Sequence, residues 1–190
     1  MSLGGIAFVL PAHGTSMTEQ DLIAACRAGR REAFDELVSR YYDRIYRLAY
    51  AMAGSQAARD LAQETFVAAV KAFSNFRGDS QISTWLISIL RNQCSLHRRS
   101  ERKWNMAPLD GENDRVSAPK PREIETGIRT ILDRLKDLPE ELRMTLVLFY
   151  IEGLKYLEIA QAMGCPVGTV RSRLFQARER LRASVADPET

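Results

Sequence analysis

The sequence has few of the residues that build metal centres, disulfide frameworks or nucleophilic active sites. Three cysteines and two histidines occur among 190 residues, and no CxxC pair is present. An odd, scattered set of cysteines argues against a zinc ribbon and a disulfide framework, and it fits a reduced cytoplasm. Cys94 and His97 would share one helix face, but two ligands alone are more often incidental than a metal site. We therefore predict no metal and no cofactor.

The motifs of an enzyme are missing as well. The sequence shows no glycine-rich phosphate loop, no nucleophile paired with a base and no metal triad. We predict that the protein is not an enzyme, and an enzymatic role is kept only as a remote alternative.

Long hydrophobic runs are also absent. The first sixteen residues contain a short apolar run, Ile6 to Leu10, which has no basic segment before it and is too short to span a membrane. We expect residues 1–16 to be a disordered lead-in or an extension beyond the natural start, with Met17 as an alternative start. The chain is expected to be cytoplasmic and not to insert into a membrane.

Helical periodicity recurs along the chain, whereas the alternation typical of strands does not. Thr18 can cap a short helix, and an apolar stripe then runs from Phe34 to Met52 and stops at Gly54. Ser55 and Ser80 can begin two further helices. Four helices with short connections predict a compact bundle, which we assign to residues 17–100 as an N-terminal domain.

Composition changes after this bundle. Residues 101–122 contain three prolines and few apolar residues, which is typical of a linker. Fully extended, these 22 residues would reach roughly 70 Å. A second helical block, residues 123–186, follows with an apolar stripe from Ile124 to Leu135 and with Pro139 at a helix start. The predicted fold is all-α, with two small helical domains joined by a flexible linker.

The C-terminal block contains the spacing of a helix-turn-helix. The first helix has a small residue, Ala160, where the second helix would cross it. Gly164 tolerates the left-handed geometry of the turn, and Val170 is an apolar residue of the second helix that can pack against the first. Pro166 fits the first turn of the second helix. A structural hairpin with solvated arginines is the alternative, but an exposed basic helix favours reading of a DNA major groove. The expected exposed residues are Thr169, Arg171, Ser172, Arg173, Gln176, Arg178 and Arg180.

The net charge of only +3 is weak evidence for a nucleic-acid partner, so the evidence has to come from local clusters of basic residues. A second basic cluster closes the N-terminal block, with His97 and Trp104 nearby, and suits backbone contact combined with base stacking. On its own this cluster is a weak signal. Its members are Arg91, Arg98, Arg99, Arg102 and Lys103.

Several motifs in order resemble the extracytoplasmic-function sigma factors, the promoter-specificity subunits of bacterial RNA polymerase. Residues 59–92, RDLAQETFVAAVKAFSNFRGDSQISTWLISILRN, match the pattern DLxQExF, then FRG, then a TWL helix ending in asparagine. The strings LPEELRM, EGLKYLEIA and CPVGTVRSRLFQAR match the family's C-terminal helix-turn-helix. The resemblance covers about residues 18–182.

This resemblance implies roles that spacing alone does not give. The C-terminal domain is expected to read the −35 promoter element through Pro166, Thr169, Arg171, Ser172, Arg173, Phe175, Gln176 and Arg178. The N-terminal domain is expected to bind and melt the −10 element, receiving a flipped base near Phe76 and Asn92. The residues implied in that task are Phe76, Arg77, Gly78, Asp79, Ser80, Gln81, Asn92, Arg98 and Arg99.

A polymerase contact is implied on a different face. Asp60, Gln63 and Glu64 lie at i, i+3 and i+4, on one side of a helix. In the family such a face docks on the clamp helices of core RNA polymerase; a solvated face explains the same residues without the resemblance. Family members are commonly inhibited by an anti-sigma factor, so such a partner and a stress or envelope response are also implied.

Some positions depart from the family pattern and predict an altered promoter preference. Gln176 and Phe149 stand where relatives often have basic residues, and Leu157 and Leu96 replace polar ones. The leading hypothesis is a sigma factor that directs core polymerase to a subset of promoters. The alternatives are an autonomous helix-turn-helix regulator that binds duplex DNA unaided, and a polymerase-binding adaptor without promoter recognition.

Overall fold

The computed structural model describes residues 17–104 and 135–186, and these residues contain helices and turns but no strand. The expectations for residues 1–16, for residues 105–122 and for the apolar stripe before Leu135 lie outside the described residues. The all-α prediction is confirmed. The helices are α1 (Glu19–Arg27), α2 (Arg31–Ala72), α3 (Ile82–Trp104), α4 (Glu140–Tyr150), α5 (Tyr156–Met163) and α6 (Val167–Ala186), with short 3-10 turns at Phe73–Asn75 and Leu135–Asp137.

Helix α1 begins after Thr18, as the sequence predicts, and ends at Arg27. The Thr18 hydroxyl accepts a hydrogen bond from the backbone N–H of Asp21 at 3.2 Å, which satisfies one of the unpaired donors of the first turn. Leu22 and Cys26 are buried against the bundle. Gly29 follows the helix with a φ of 71°, a left-handed conformation that glycine adopts without strain.

Helix α2 consists of two helical segments that meet at a kink. Gly54 has φ 79° and ψ −178°, outside the helical region, and this confirms the break predicted between Gly54 and Ser55. The two segments fold over α3, and the core between them is filled by large aliphatic side chains that are almost fully buried. These include Leu37, Ile45, Leu48, Leu61, Ile82, Leu86 and Leu90.

Helix α3 is longer than expected and begins slightly later. It starts at Ile82 rather than Ser80, and the N–H of Ile82 donates to the Glu19 carboxylate at 3.1 Å. It continues to Trp104, so four residues predicted as linker are helical. Among the residues that the structure describes, no helix is both long and apolar enough to cross a membrane.

The C-terminal block forms the predicted helix-turn-helix from α5 and α6, supported by α4. Gly164 is left-handed, with φ 59° and ψ 40°, and the Cys165 N–H donates to the carbonyl of Ala160 at 3.0 Å. Val170 is fully buried and Ala160 nearly so. The three roles assigned to Ala160, Gly164 and Val170 are therefore confirmed.

The two helical blocks pack against each other instead of lying apart. Helix α3 contacts α5, and α2 contacts α4. Arg143 of α4 donates to the carbonyl of Met52, just before the α2 kink, at 2.9 Å. Burial lowers the pKa of the Arg143 guanidinium, and the charge of Arg98 lowers it further.

Candidate nucleic-acid interface

Helix α6 buries one side and presents the other to solvent. Val170, Leu174 and Ala177 face the domain core. On the opposite side, Arg171, Ser172, Phe175 and Gln176 are all exposed, and Phe175 is 60% exposed. The exposed Phe175 ring lies among side chains that can form hydrogen bonds with base edges.

Two other arginines of α6 are engaged within the domain. Arg173 pairs with Glu141 at 2.8 Å and donates toward the Cys165 sulfur at 3.6 Å. The Nε of Arg178 donates to the carbonyl of Leu174 at 3.2 Å. The sequence predicted both arginines on the DNA face, and the structure places them at its two edges.

Pro166 and Thr169 lie at the start of α6. Pro166 is exposed and its carbonyl accepts from the N–H of Thr169 at 2.9 Å, while Thr169 is half-buried. Gly168 also lies in this first turn, and a Cβ added to it would meet nothing within 4 Å. The first turn is therefore open at the end of the helix that carries partial positive charge.

The predicted −10 loop is exposed but rests on a buried aromatic base. Arg77, Gly78, Asp79 and Gln81 are exposed and Ser80 is half-buried, whereas Phe76 is only 4% exposed. The centroid of the Phe76 ring lies 5.5 Å from the centroid of the Phe73 ring and 4.9 Å from that of the Trp85 ring. Phe76 therefore supports the loop from below, and its ring is not an open stacking surface.

Helix α1 anchors the start of this loop. The Arg27 guanidinium donates to the carbonyl of Phe76 at 2.7 Å, and a Cβ on Gly78 would lie 3.9 Å from the same guanidinium. Gly78 has a φ of 84°. Glycine adopts this left-handed conformation without strain, so Gly78 allows the chain to turn two residues after Phe76, whose carbonyl Arg27 anchors.

Asn92 and Arg99 extend the loop surface along α3. Trp85, Asn92 and Arg99 are spaced by seven residues, which places them on the same side of the helix. Asn92 and Arg99 are exposed, and Trp85 is only partly buried. The structure thus aligns Asn92 with the aromatic ring that packs on Phe76, about 10 Å further along the helix axis.

The predicted polymerase face is also exposed. Asp60 and Glu64 are exposed on α2 and Gln63 is half-buried between them. Val67 and Val70, one turn and two turns further, are 46% and 42% exposed. Val70 continues the exposed face, and its mixed acidic and apolar character is typical of a protein-binding surface.

The cysteines have different environments. Cys26 and Cys94 are buried, and burial raises the pKa of their thiols to about 11 and about 12. Cys165 in the helix-turn-helix turn is only partly buried. Across residues 17–104 and 135–186, His, Cys, Asp and Glu side chains form no group of three or more that could hold a metal ion.

Sequence reasoning missed the charged residues that join the two blocks. Arg44 and Glu152 lie 108 positions apart, yet their side chains meet at 2.6 Å. Glu140 of α4 pairs with Arg98, one of the residues predicted to contact DNA. No sequence signal distinguishes such residues from ordinary solvated charges, because their partners are distant in the chain.

The structure also places the four residues that depart from the family pattern. Leu96 and Leu157 are 55% and 62% exposed, so each is an apolar side chain on the surface of its block. Phe149 is partly buried and its ring lies 5.3 Å from that of Tyr156. Gln176 is exposed on the reading side of α6, and its amide donates to the Ser172 hydroxyl at 3.3 Å.

Comparison with known proteins points to one family. The family described as Sigma-70 region 2 matches residues 37–104, and Sigma-70, region 4 matches residues 128–181. The ECF RNA polymerase sigma-E factor of Escherichia coli K12 is 35% identical over 175 residues, covering 86% of this chain and 92% of that protein. The Haemophilus influenzae sigma-E factor is 32% identical, covering 89% and 96%.

Solved structures agree with these sequence matches. CnrH in complex with the cytosolic domain of CnrY has a TM-score of 0.67 and 25% identity, covering 90% of this chain and 99% of that one. The sigma factor RpoE of Bartonella quintana, in complex with the anti-sigma factor NepR, shares the fold with a TM-score of 0.64. From its two matched regions and its curated relatives, the chain belongs to the ECF family of RNA polymerase sigma factors.

Proposed function

We propose that the exposed side of α6 reads the −35 element of the promoters to which this sigma factor directs core RNA polymerase. The observation that carries this proposal is the solvent-exposed set Arg171, Ser172, Phe175 and Gln176. An arginine suits a bidentate contact to guanine, an amide suits adenine, and an aromatic ring can contact a thymine methyl group. The α6 N-terminus, with Pro166 and Thr169, would meet phosphate oxygens.

Arg173 and Arg178 take supporting roles in this proposal. Arg173 ties the reading helix to Glu141 of α4 and to Cys165 in the turn, so it would fix the angle at which α6 enters the groove. Arg178, already bonded to the Leu174 carbonyl, lies at the edge where the DNA backbone would pass. Both would contact phosphate more readily than base edges.

We propose that the −10 element is bound and opened on the surface formed by the Arg77–Gln81 loop, Asn92 and Arg99. Arg27 anchors the start of the loop at the Phe76 carbonyl, and the Phe76 and Trp85 rings pack together beneath it. A flipped base would enter between the loop and Asn92, whose amide can pair with a base edge. Hydrogen bonds there must offset the few kcal/mol that unstacking costs.

The face of α2 around Asp60, Gln63 and Glu64 is proposed to dock on the clamp helices of core polymerase. Its carboxylates are exposed, and Val67 and Val70 add apolar area to the same face. Acidic groups would confer specificity for a basic partner surface, while the two valines would contribute burial on binding.

We further propose cytoplasmic location, no enzymatic activity of its own, and control by an anti-sigma protein. Support for the last comes from the similarity to CnrH, which was solved with the cytosolic domain of CnrY bound. A mixture of purified chain, core polymerase and the candidate inhibitor tests it: the inhibitor should abolish promoter-dependent transcription without binding core polymerase alone.

Transcription with purified core polymerase on a fragmented genomic library is the decisive experiment for the function. Sequencing the 5′ ends of the products should yield two shared promoter elements upstream of the start sites. Tight binding of this chain to a duplex site, with no binding to core polymerase, would instead establish an autonomous regulator. Polymerase binding without any shared element would establish an adaptor.

The role of Asn92 is tested by promoter opening. We expect Asn92→Ala to reduce transcription from duplex templates while leaving transcription from templates melted in advance over the −10 element nearly unchanged. Gln56→Ala, which removes an exposed amide side chain from α2, is the control. Equal loss on both templates would assign Asn92 a different role.

A further inference from the structure

The hydroxyl group of Thr84 is buried without a hydrogen-bond partner. Thr84 lies in the first turn of α3 and is only 2% exposed. Its Oγ1 atom has no partner in the part of the chain that the structure describes. Most buried polar groups in proteins do have a partner, because a buried group without one has lost its hydration and gained nothing in return.

Other buried threonines show how such a hydroxyl is usually satisfied. Thr65 and Thr145 are fully buried within helices, and each donates to the carbonyl four residues earlier, at 2.7 Å and 2.6 Å. Thr84 has no such carbonyl one helical turn below it. Helix α3 begins at Ile82, so the carbonyl four residues before Thr84 belongs to Ser80, in the loop that precedes the helix.

Thr84 lines a cleft of about 520 Å³ beside the Arg77–Gln81 loop. Gly78 to Gln81 form one side of this cleft, and residues of α1 and α5 form the others. The loop residues at its rim are exposed or half-buried, whereas Thr84 is the one buried residue among its described lining residues. The unpartnered hydroxyl therefore lies at the bottom of the cleft.

The charge of the cleft walls indicates which part of a nucleic acid fits there. Glu19 of α1, Asp79 of the loop and Glu158 of α5 line the cleft, and no lysine or arginine is among its described lining residues. Carboxylates repel a phosphate group, but they can accept hydrogen bonds from the N–H groups of a neutral base. A hydroxyl both donates and accepts, so it suits the edge of a base.

We propose that the Thr84 hydroxyl binds the edge of the base that is extruded from the −10 element, at the bottom of this cleft. This inference rests on the proposed role of the −10 surface. Thr84 precedes Asn92 by eight residues on α3, about 12 Å along the helix axis, so it extends that surface beneath the loop. A base stacked in a duplex cannot reach a buried group, so the hydrogen bond forms only with melted DNA and favours opening.

Binding to a melted promoter tests the contact. Thr84→Val replaces the hydroxyl by a methyl group of similar size. The assay uses the chain bound to core polymerase and a promoter recovered by the genomic transcription experiment, melted in advance over the −10 element. In a series of templates, each −10 nucleotide in turn is replaced by an abasic residue, which keeps its phosphate but has no base.

We expect the Thr84→Val complex to bind the intact promoter about three- to tenfold more weakly than the unmodified complex. This difference should vanish when the abasic residue occupies one position, the position of the extruded base. Thr84→Ser keeps the hydroxyl, and its complex should bind the intact promoter as the unmodified complex does.

Thermal unfolding of the free chain gives a second measurement. Because Thr84→Val removes a buried hydroxyl that has no partner, we expect it to raise Tm by about 2–4 °C. Thr65→Val and Thr145→Val are the matched controls, since they make the same change where the hydroxyl is bonded to a carbonyl. Neither control should raise Tm, and neither should change binding to the promoter.

Three results would overturn the proposal. One is equal binding of the intact promoter by the Thr84→Val complex and the unmodified complex. Another is a loss of binding that persists at every abasic position, which would assign the effect to a phosphate or to the conformation of the loop. The third is a Tm lowered as much in Thr84→Val as in the two controls, which would show that the hydroxyl has a partner in the free chain.

Failure of the proposed function gives a different result. If the unmodified complex bound every abasic template as tightly as the intact promoter, the surface formed by the loop and Asn92 would not recognise −10 bases at all. Sensitivity of the unmodified complex to abasic residues, without any change in Thr84→Val, would instead reject only the role of Thr84.

Discussion

Replacing Gly164 by alanine examines the turn on which the helix-turn-helix depends. Gly164 has φ 59° and ψ 40°, where an L-residue with a Cβ is strained by about 1–2 kcal/mol relative to glycine. The new Cβ would lie 3.4 Å from the Arg91 Nη1, the mobile end of a long side chain that can shift slightly. Backbone conformation therefore dominates the cost, and we expect Gly164→Ala to lower the free energy of unfolding by about 1–2 kcal/mol.

Gly168 is the matched control because it lies four residues later in the same motif. It is helical, and an added Cβ would meet nothing within 4 Å. We expect Gly168→Ala to stabilise the chain by about 0.5–1 kcal/mol, since alanine is the better helix former. For a chain of this length, 1 kcal/mol corresponds to a change in Tm of about 2–4 °C.

Urea and thermal unfolding followed by circular dichroism measure both changes. Gly164→Asn should cost less than Gly164→Ala, because asparagine tolerates the left-handed region better. An unchanged free energy of unfolding in Gly164→Ala would refute a backbone origin of the cost, and so would a Gly168→Ala variant that is destabilised as much as Gly164→Ala. In the latter case the cost would come from side-chain crowding in the motif and not from backbone conformation.

Three further predictions follow from the sites. Arg171→Ala should weaken promoter binding by the polymerase complex by about 1–3 kcal/mol, measured by filter binding, and unchanged discrimination against a scrambled −35 element would reject base reading by this residue. The double variant Asp60→Lys, Glu64→Lys should bind core polymerase more weakly in a pull-down titration, while its unfolding curve stays the same. Unaltered affinity would show that these two side chains are solvated and do not contact the polymerase. Because burial raises the pKa of the Cys94 thiol to about 12, its thiolate fraction at pH 8 is on the order of 10⁻⁴, and iodoacetamide should label Cys165 first in the folded chain. The rate at which Cys94 is labelled at pH 8 should rise steeply in urea. Equal labelling rates for Cys94 and Cys165 in the folded chain would contradict the burial of Cys94.

Local patterns in the sequence were sufficient for most helix boundaries and for the helix-turn-helix. Thr18 caps α1, Gly54 breaks α2, and Gly164 turns the chain between α5 and α6, each because its own backbone or side-chain chemistry suits that position. Such signals act over a few residues, so they can be read without knowing what packs nearby. The exposed side of α6 follows from the same helical period.

Other features required knowledge of which surfaces meet. Phe76 was expected near a base and is buried under the loop, since Phe73 and Trp85 close over it. Val70 is apolar and yet exposed, because helical period identifies an apolar side of a helix but not the extent of the partner that covers it. The linker was read from composition, yet α3 extends into its first four residues.

By itself the sequence determined an all-α fold, a helix-turn-helix and membership of a sigma factor family, because these depend on periodicity, turn chemistry and ordered motifs. Only the tertiary structure decided that the blocks pack together through Glu140 and Glu152 and that Arg98 is engaged there. An ion pair between residues 108 positions apart has no local signature. Whether a charged side chain is solvated, bound to DNA or buried against another domain depends on what the folded chain places beside it.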